Sequence, residues 1–283
     1  MRTIFRSILP TIIMIPSIFL GIFTMYHHNI SSNLWLQNFG VLLLVSISSY
    51  FIISRKIFLK LNSSIIILVG ILLLLITFID NGFSNVYRWL SIGVINLNIG
   101  SIVLPLLLVE LEKNLNFKNW WIITLLAFGI IAILSFQPDA SKVTAFTLAS
   151  LFILQKYVAK KVQYVILAIP LMASVWTWYF LDDLPSVDYV EEILQMTKEM
   201  GITWFIFSVF SLILLPIPFF IFKTEKNKSI CVSLGVYFSV VLLSTLFGNF
   251  PVPLLGYGIS PIIGYSIAIT WLMRNTDFEY VTE

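Results

Sequence analysis

Four short stretches of this chain carry residue types able to do chemistry, and they lie far apart in the sequence. Arg88, beside Trp89, offers a guanidinium fork that can clamp a phosphate. The same pair at a membrane surface would serve equally well as an interfacial anchor. Gln137-Pro138-Asp139 is a polar turn, and Asp is tolerated in such turns for purely local reasons. The segment 182–201 is acidic. Within it Tyr189, Ile193, Met196 and Met200 form an apolar stripe, and Asp188, Glu192, Gln195 and Glu199 form a polar stripe with the same spacing. This predicts an amphipathic helix over 186–200, lying along a membrane surface. Asp188 falls near its N-terminus, which favours the ionised form, whereas Glu191 and Glu192 nearby raise a carboxylate pKa. Spacing leaves that balance open. Finally, Pro251, Pro253, Gly256, Tyr257, Gly258 and Pro261 predict a broken helix entry whose amides can bind an anion such as a phosphate. A tight turn without ligand is the plainer alternative.

The elements that must position these stretches are membrane helices. The 283 residues are 59% hydrophobic and only 11% charged, more apolar surface than a soluble domain of this length can hide. Continuous rather than alternating apolar runs argue against a transmembrane β-barrel. The expected fold is all-α and integral to the membrane, with about ten helices, each near the roughly 20 residues needed to cross. They fall at 7–26, 34–53, 63–80, 92–111, 119–136, 141–158, 162–181, 202–222, 229–248 and 254–273, with prolines inside several of them read as kinks. With both termini cytoplasmic, 14 of the 17 Lys and Arg residues lie on the inner side, and only Arg88, Lys142 and Lys198 lie outside. No linker interrupts the chain, so residues 1–283 are read as one polytopic membrane domain. The net charge of +3 belongs to the inner loops, and nucleic acid is not an expected partner. Cys231, the single cysteine, excludes an intramolecular disulfide. The same threading puts all four polar stretches on the outer side, where they could share one cavity.

The four stretches, in this order, resemble motifs of the SEDS family (FtsW/RodA/SpoVE type), membrane glycosyltransferases of peptidoglycan synthesis. Pro253-Leu254-Leu255-Gly256-Tyr257-Gly258-Ile259-Ser260 is similar to the family's Pro-Phe-Val-Ser-Tyr-Gly-Gly-Ser, Gln137-Pro138-Asp139 matches its Gln-Pro-Asp, and Arg88-Trp89-Leu90 resembles its Arg-Trp-Ile. Ser186-Val187-Asp188-Tyr189, followed by Lys198-Glu199-Met200-Gly201, resembles its His-Thr-Asp-Phe and Gly-Glu-Glu-Leu-Gly, which puts Asp188 at the family's essential aspartate. Where the family has Gln-Pro-Ser-Glu with a lysine nearby, this chain has Asn98-Ile99-Gly100-Ser101 and no lysine in the following turn. The outer loop before Asp188 is short, as is the whole chain.

The resemblance implies polymerisation of undecaprenyl-linked disaccharide-peptide (lipid II) at the outer leaflet of a bacterial cytoplasmic membrane, in cell-shape, elongation or division machinery. A sugar hydroxyl would attack an anomeric carbon and expel lipid pyrophosphate with inversion. That chemistry needs a general base and positive charge at the leaving group. Asp188 is then the expected base. Arg88, Gln137, Asp139, Gly256, Tyr257, Gly258 and Ser260 are expected to bind substrate, supported by Trp89, Glu191, Glu192 and Glu199. Asp139 would hold a basic partner or help bind a divalent cation. The expected partners are the lipid-linked precursor, membrane lipid and a single-pass transpeptidase (class B penicillin-binding protein). Two readings compete: a non-catalytic scaffold of the same machinery, and a polymerase or ligase of another lipid-linked glycan. A transporter is disfavoured, because the span centres carry almost no charge.

Overall fold

The computed structural model describes residues 2–55, 62–80, 82, 86–93, 95–158, 160–180 and 184–276. Lys56, Lys60, Asn81 and residues 182–183 of the acidic segment lie outside the described residues. The fold is a bundle of α-helices. In chain order these are α1 (Arg2–His27), α2 (Ser32–Ser54), α3 (Ser63–Ile76), α4 (Ile99–Asn114), α5 (Trp120–Phe136), α6 (Ala140–Leu154) and α7 (Lys160–Tyr179). There follow α8 (Ile193–Glu199), α9 (Ile202–Ile213), α10 (Ile217–Ile221), α11 (Lys228–Ser244) and α12 (Ile259–Asn275). A two-stranded hairpin, β1 (Trp89–Ile92) and β2 (Ile95–Asn98), joins α3 to α4.

Among the described residues, four stretches are long and apolar enough to cross a membrane unaided: Phe5–His27, Ser32–Ser54, Val162–Tyr179 and Ile202–Ile221. Shorter apolar helices, such as Ser63–Ile79 and Lys228–Ser244, stand beside them. The outward face is apolar, with Leu44, Leu68, Leu125, Met172 and Phe210 exposed, as a lipid-facing surface requires. At the centre α4 packs against α6, α11 and α12, α6 lies along α11, and α2 flanks α12. Small hydroxyls join helices inside, as is usual where oil surrounds oil. Ser49 meets Thr270 at 2.7 Å, Ser17 meets Ser211 at 3.1 Å, and Ser233 donates to the Ala149 carbonyl at 2.8 Å. The chain is a multi-pass all-α membrane protein.

Three expected elements differ. The fourth apolar run, expected to be helical from residue 92, is a strand over 95–98 and becomes helical only at Ile99. Ile95-Asn96-Leu97-Asn98 alternates apolar and polar, a strand period that hydropathy does not register. The Asn98 side chain then caps α4 by accepting from the Ser101 N–H at 3.1 Å. The eighth run breaks between α9 and α10 at Pro216, with Pro218 in the first turn of α10, and the Tyr265 hydroxyl donates to the Leu215 carbonyl at 2.7 Å within the break. The helix expected over 186–200 shrinks to α8. The carbonyls of Tyr189 and Val190, which would continue it, instead accept from the Tyr257 N–H at 2.8 Å and the Val252 N–H at 3.1 Å. Its apolar stripe survives: Ile193 and Met196 are buried, and Asp188, Glu192, Gln195 and Glu199 are exposed.

Long-range bonds fix which helix ends meet. At one end Gln137 reaches Leu74 and Thr77, and Asn38 reaches Gly256 and Gly258. At the other, the Arg6 guanidinium donates to the Met273 carbonyl (2.9 Å from one nitrogen, 3.1 Å from Nε) and to the carbonyls of Arg274 and Thr276.

Candidate functional site

A cavity of about 410 Å³ opens at the end where Asn38 and Gly256 meet. Its walls come from the β1–β2 hairpin, the N-termini of α4, α6 and α12, the turn before α8, α11, and the broken stretch 249–258. Regions separated by more than a hundred residues are thus brought together. Arg88, Trp89, Glu191, Tyr257, Gly258 and Ser260 are on the wall. Asp188, Gln137, Asp139, Gly256, Glu192 and Glu199 are not.

Arg88 is 4% exposed, and its guanidinium lies 5.3 Å from the centre of the Trp89 ring. Burial lowers the Arg88 pKa, and the nearby Asp139 and Glu191 carboxylates oppose this. Asp139 caps α6 by accepting from the Lys142 N–H at 3.2 Å, and its other oxygen meets Lys142 Nζ at 2.6 Å. Burial alone would push the Asp139 carboxyl up. The Lys142 ammonium, with Arg88 behind it, more than offsets burial and holds it below the ordinary carboxylate range. Asp139 therefore meets one half of its expectation, holding a basic partner. The expected divalent cation does not fit this donor set. Among the described residues no three His, Cys, Asp or Glu side chains are grouped to ligate a metal, and Lys142 already neutralises Asp139.

The acidic turn places its carboxylates unequally. Asp188 is exposed, and the wall here consists of Val187, Tyr189, Val190 and Glu191. Glu191 is half-buried, and one of its oxygens accepts from the Val187 N–H at 2.9 Å. Burial pushes its carboxyl above the ordinary value, only partly countered by backbone N–H groups and Arg88. Glu192 accepts from the Ser186 hydroxyl, and Glu199 lies 4.0 Å from His28 on the outside of α8.

Two expectations are corrected. The amides of 256–258 are not available to an anion. Gly256 N–H donates to the Val252 carbonyl at 2.9 Å, Tyr257 N–H to Tyr189, and Gly258 N–H to Asn38 Oδ1 at 3.2 Å. They hold the broken entry together, and Tyr257 adds a 2.7 Å hydroxyl bond to Gln37. A Cβ at Gly256 would lie 2.4 Å from the Val190 carbonyl oxygen, so glycine is what allows this close approach. Gln137 is likewise structural. Its amide donates to the Leu74 carbonyl at 2.9 Å and the Thr77 hydroxyl at 2.8 Å, away from the cavity.

Sequence reasoning missed Lys142, Ser141, Tyr237 and Asn98 as wall residues. The Asp139–Lys142 spacing at a helix start was the one available signal for Lys142. Its alkyl chain runs across Gly100, so its ammonium comes from α6 into the α4 neighbourhood where the resembled family keeps a lysine of its own. Ser260 stays on the wall, its hydroxyl oxygen accepting from the Asn98 N–H at 2.8 Å.

Fold and site together define a class: a polytopic helical membrane protein whose cavity, at one end of the bundle, sets two cations beside a carboxylate. By sequence the chain matches no protein-family model and no curated protein. By structure it has the fold of the rod shape determining protein RodA of Thermus thermophilus. The crystal structure of an aspartate-to-alanine mutant of RodA superposes with a TM-score of 0.69 at 13% identity, covering 95% of this chain and 98% of that one. A second RodA crystal structure gives 0.66 at 15% identity, covering 95% and 97%.

Proposed function

We propose that the protein is a divergent, shortened SEDS-type glycosyltransferase of cell-wall synthesis, joining lipid-linked disaccharide-peptide units at the outer leaflet of a bacterial cytoplasmic membrane. The observation that carries this reading is the cavity: Arg88, Lys142 and Glu191 face one space in a fold shared with RodA along nearly its whole length. A cavity at a bundle end suits a substrate whose headgroup must sit in polar surroundings while its tail stays in lipid.

In this reading Arg88 and Lys142 stabilise negative charge developing on the leaving pyrophosphate. The base comes from the turn before α8. Asp188 is the residue to which the motif resemblance points, and Glu191 is the carboxylate on the wall. We assign the base to Glu191, whose partial burial makes its carboxylate more basic. No step is routed through a metal. A single-pass transpeptidase remains the proposed protein partner.

The test is to incubate purified protein with lipid-linked disaccharide-peptide and to resolve products on a gel. Wild type should form polymer, Glu191→Gln should not, and Asp188→Asn should retain activity. The reverse pattern would return the base to Asp188. Substrate binding without polymer from wild type would select the scaffold reading, which the short segment between α7 and α8 favours. Polymer from a different lipid-linked glycan alone would select that other substrate.

A further inference from the structure

A second cavity lies apart from the site described above. It is a groove of about 490 Å³ between α1 and α9. Pro16, Phe19 and Phe23 wall it from α1, and Trp204, Phe207 and Leu214 wall it from α9. Phe19, Phe23, Trp204 and Phe207 are all exposed, so the bundle leaves these rings to its surroundings. Ser211 also lines the groove, but it is buried and its hydroxyl oxygen accepts from the Ser17 hydroxyl at 3.1 Å. The two hydroxyls answer each other, and an occupant of the groove meets no polar demand from them. Pro16 marks the inner limit, where the missing backbone N–H lets α1 bend.

Two features say what belongs there. The first is length. At the helical rise, Pro16 to Phe23 covers about 10 Å and Trp204 to Leu214 about 15 Å. One leaflet's share of the hydrocarbon core is about 15 Å. The end of α1 and the start of α9 lie opposite the Arg6 clamp, so the groove is confined to the leaflet on the cavity side. Beyond Leu214 the seam stops, because α9 has ended and Pro216 opens α10. A partner helix crossing the membrane needs a seam of about 30 Å, whereas one acyl chain needs half of that.

The second feature is charge. Arg88 and Lys142 are buried in the wall of the first cavity, which leaves Lys198 as the exposed lysine at this end of the bundle among the described residues. It lies on the last turn of α8, six residues before Trp204. The neighbouring Glu199 is answered by His28 at 4.0 Å. His27 stacks on Phe23 with ring centres 6.5 Å apart, which adds an exposed imidazole beside the outer end of the groove. A lysine at headgroup level above apolar rings suits an anionic phosphate whose chain lies along the protein.

We propose that the α1–α9 groove is a binding site for an anionic phospholipid of the bilayer, its acyl chain along Phe19, Phe23, Trp204 and Phe207 and its phosphate met by Lys198. The groove shares no wall residue with the first cavity, and the proposal does not rest on the transferase reading.

The experiment measures quenching of tryptophan fluorescence in the full chain in phosphatidylcholine nanodiscs. Each disc carries, as a minor component, phosphatidylglycerol or phosphatidylcholine brominated on the acyl chain. The Trp204 signal is the difference between wild type and Trp204→Phe, and the other seven of the eight tryptophans serve as the reference for lipid bound elsewhere. Brominated phosphatidylglycerol should occupy the Trp204 position roughly fivefold more readily than brominated phosphatidylcholine, the effect of one lysine near a membrane surface. Lys198→Ala should bring the two lipids level at Trp204 and leave the reference tryptophans unchanged. Equal quenching of Trp204 by both lipids in wild type overturns the proposal, as does a preference that survives Lys198→Ala. Quenching by neither lipid would mean that protein, a second copy included, covers the groove, and overturns it too. The comparison of two lipids on wild-type Lys198 keeps the idea exposed to refutation even if that variant fails to fold.

Discussion

The side chain of Lys142 lies directly over Gly100: a Cβ built on Gly100 would stand 2.9 Å from Lys142 Cδ and 3.4 Å from its Cε. The absence of a side chain on α4 is thus what lets a lysine from α6 reach the cavity. Gly100→Ala should improve the helix by about 0.5–1 kcal/mol while pushing the ammonium aside. The expected outcome is an unchanged or higher melting temperature with at least a several-fold loss of polymer formation. Loss of stability and polymer formation together would mean that the glycine serves packing alone.

Asp139 and Lys142 should be worth far more as a pair than either is alone. Asp139→Asn leaves the ammonium buried without its counter-charge, a change that costs about 3–5 kcal/mol where buried pairs have been broken. Lys142→Met in the same chain should recover part of that loss, and a double-mutant cycle on melting in detergent measures the coupling. Because the folded-state pKa of Asp139 is depressed, its contribution is complete above the unfolded value of about 3.9 and fades as pH falls through the folded value. The Asp139→Asn variant should therefore lose the acid-side decline that this carboxylate gives the wild type.

Polymer formation should depend on pH through Glu191. A base must be deprotonated, and burial raises this carboxyl above its ordinary range, so activity should fall as pH drops through that raised value. Asp188→Asn should keep the same acid limb. If Asp188→Asn abolishes activity while Glu191→Gln keeps it with the same acid limb, the assignment is wrong.

Gly256→Ala should loosen the seam between the turn before α8 and the entry of α12. The new methyl meets the Val190 carbonyl oxygen at 2.4 Å, and backbone cannot step aside as a flexible side chain can. A cost of about 1–3 kcal/mol is expected for such overpacking. Hydrogen exchange is the sharper readout: the Val252 and Tyr257 amides, bonded to Val190 and Tyr189, should lose protection before the helix cores do.

Hydropathy was enough to read the helices because lipid-facing residues such as Leu44 and Leu125 stay apolar whatever their neighbours do. The proline and glycine cluster at 251–261 also announced an unwound entry. Three things escaped for physical reasons. Residues 95–98 form a strand inside an apolar run, and mean hydropathy is blind to period. The amides of 256–258 looked free because their partners, Asn38, Tyr189 and Val252, are chosen by tertiary packing. Tyr237 and Ser141 sit in apolar stretches nearly a hundred residues apart, and nothing local marks them until α6 and α11 lie side by side. Asp188 and Glu191 illustrate the finer limit: a helix over 186–200 would have aimed them by its period, and the diverted carbonyls of Tyr189 and Val190 re-aimed them.

The Arg6 clamp on the last turn of α12 has a topological consequence. Because the first turns of α1 and the last turn of α12 are fastened at one end of the bundle, the number of crossings from α1 through α12 is even, whichever of the shorter helices is counted as spanning. That parity puts the start of α1 and the end of α12 in the same compartment, at the end of the bundle remote from the cavity.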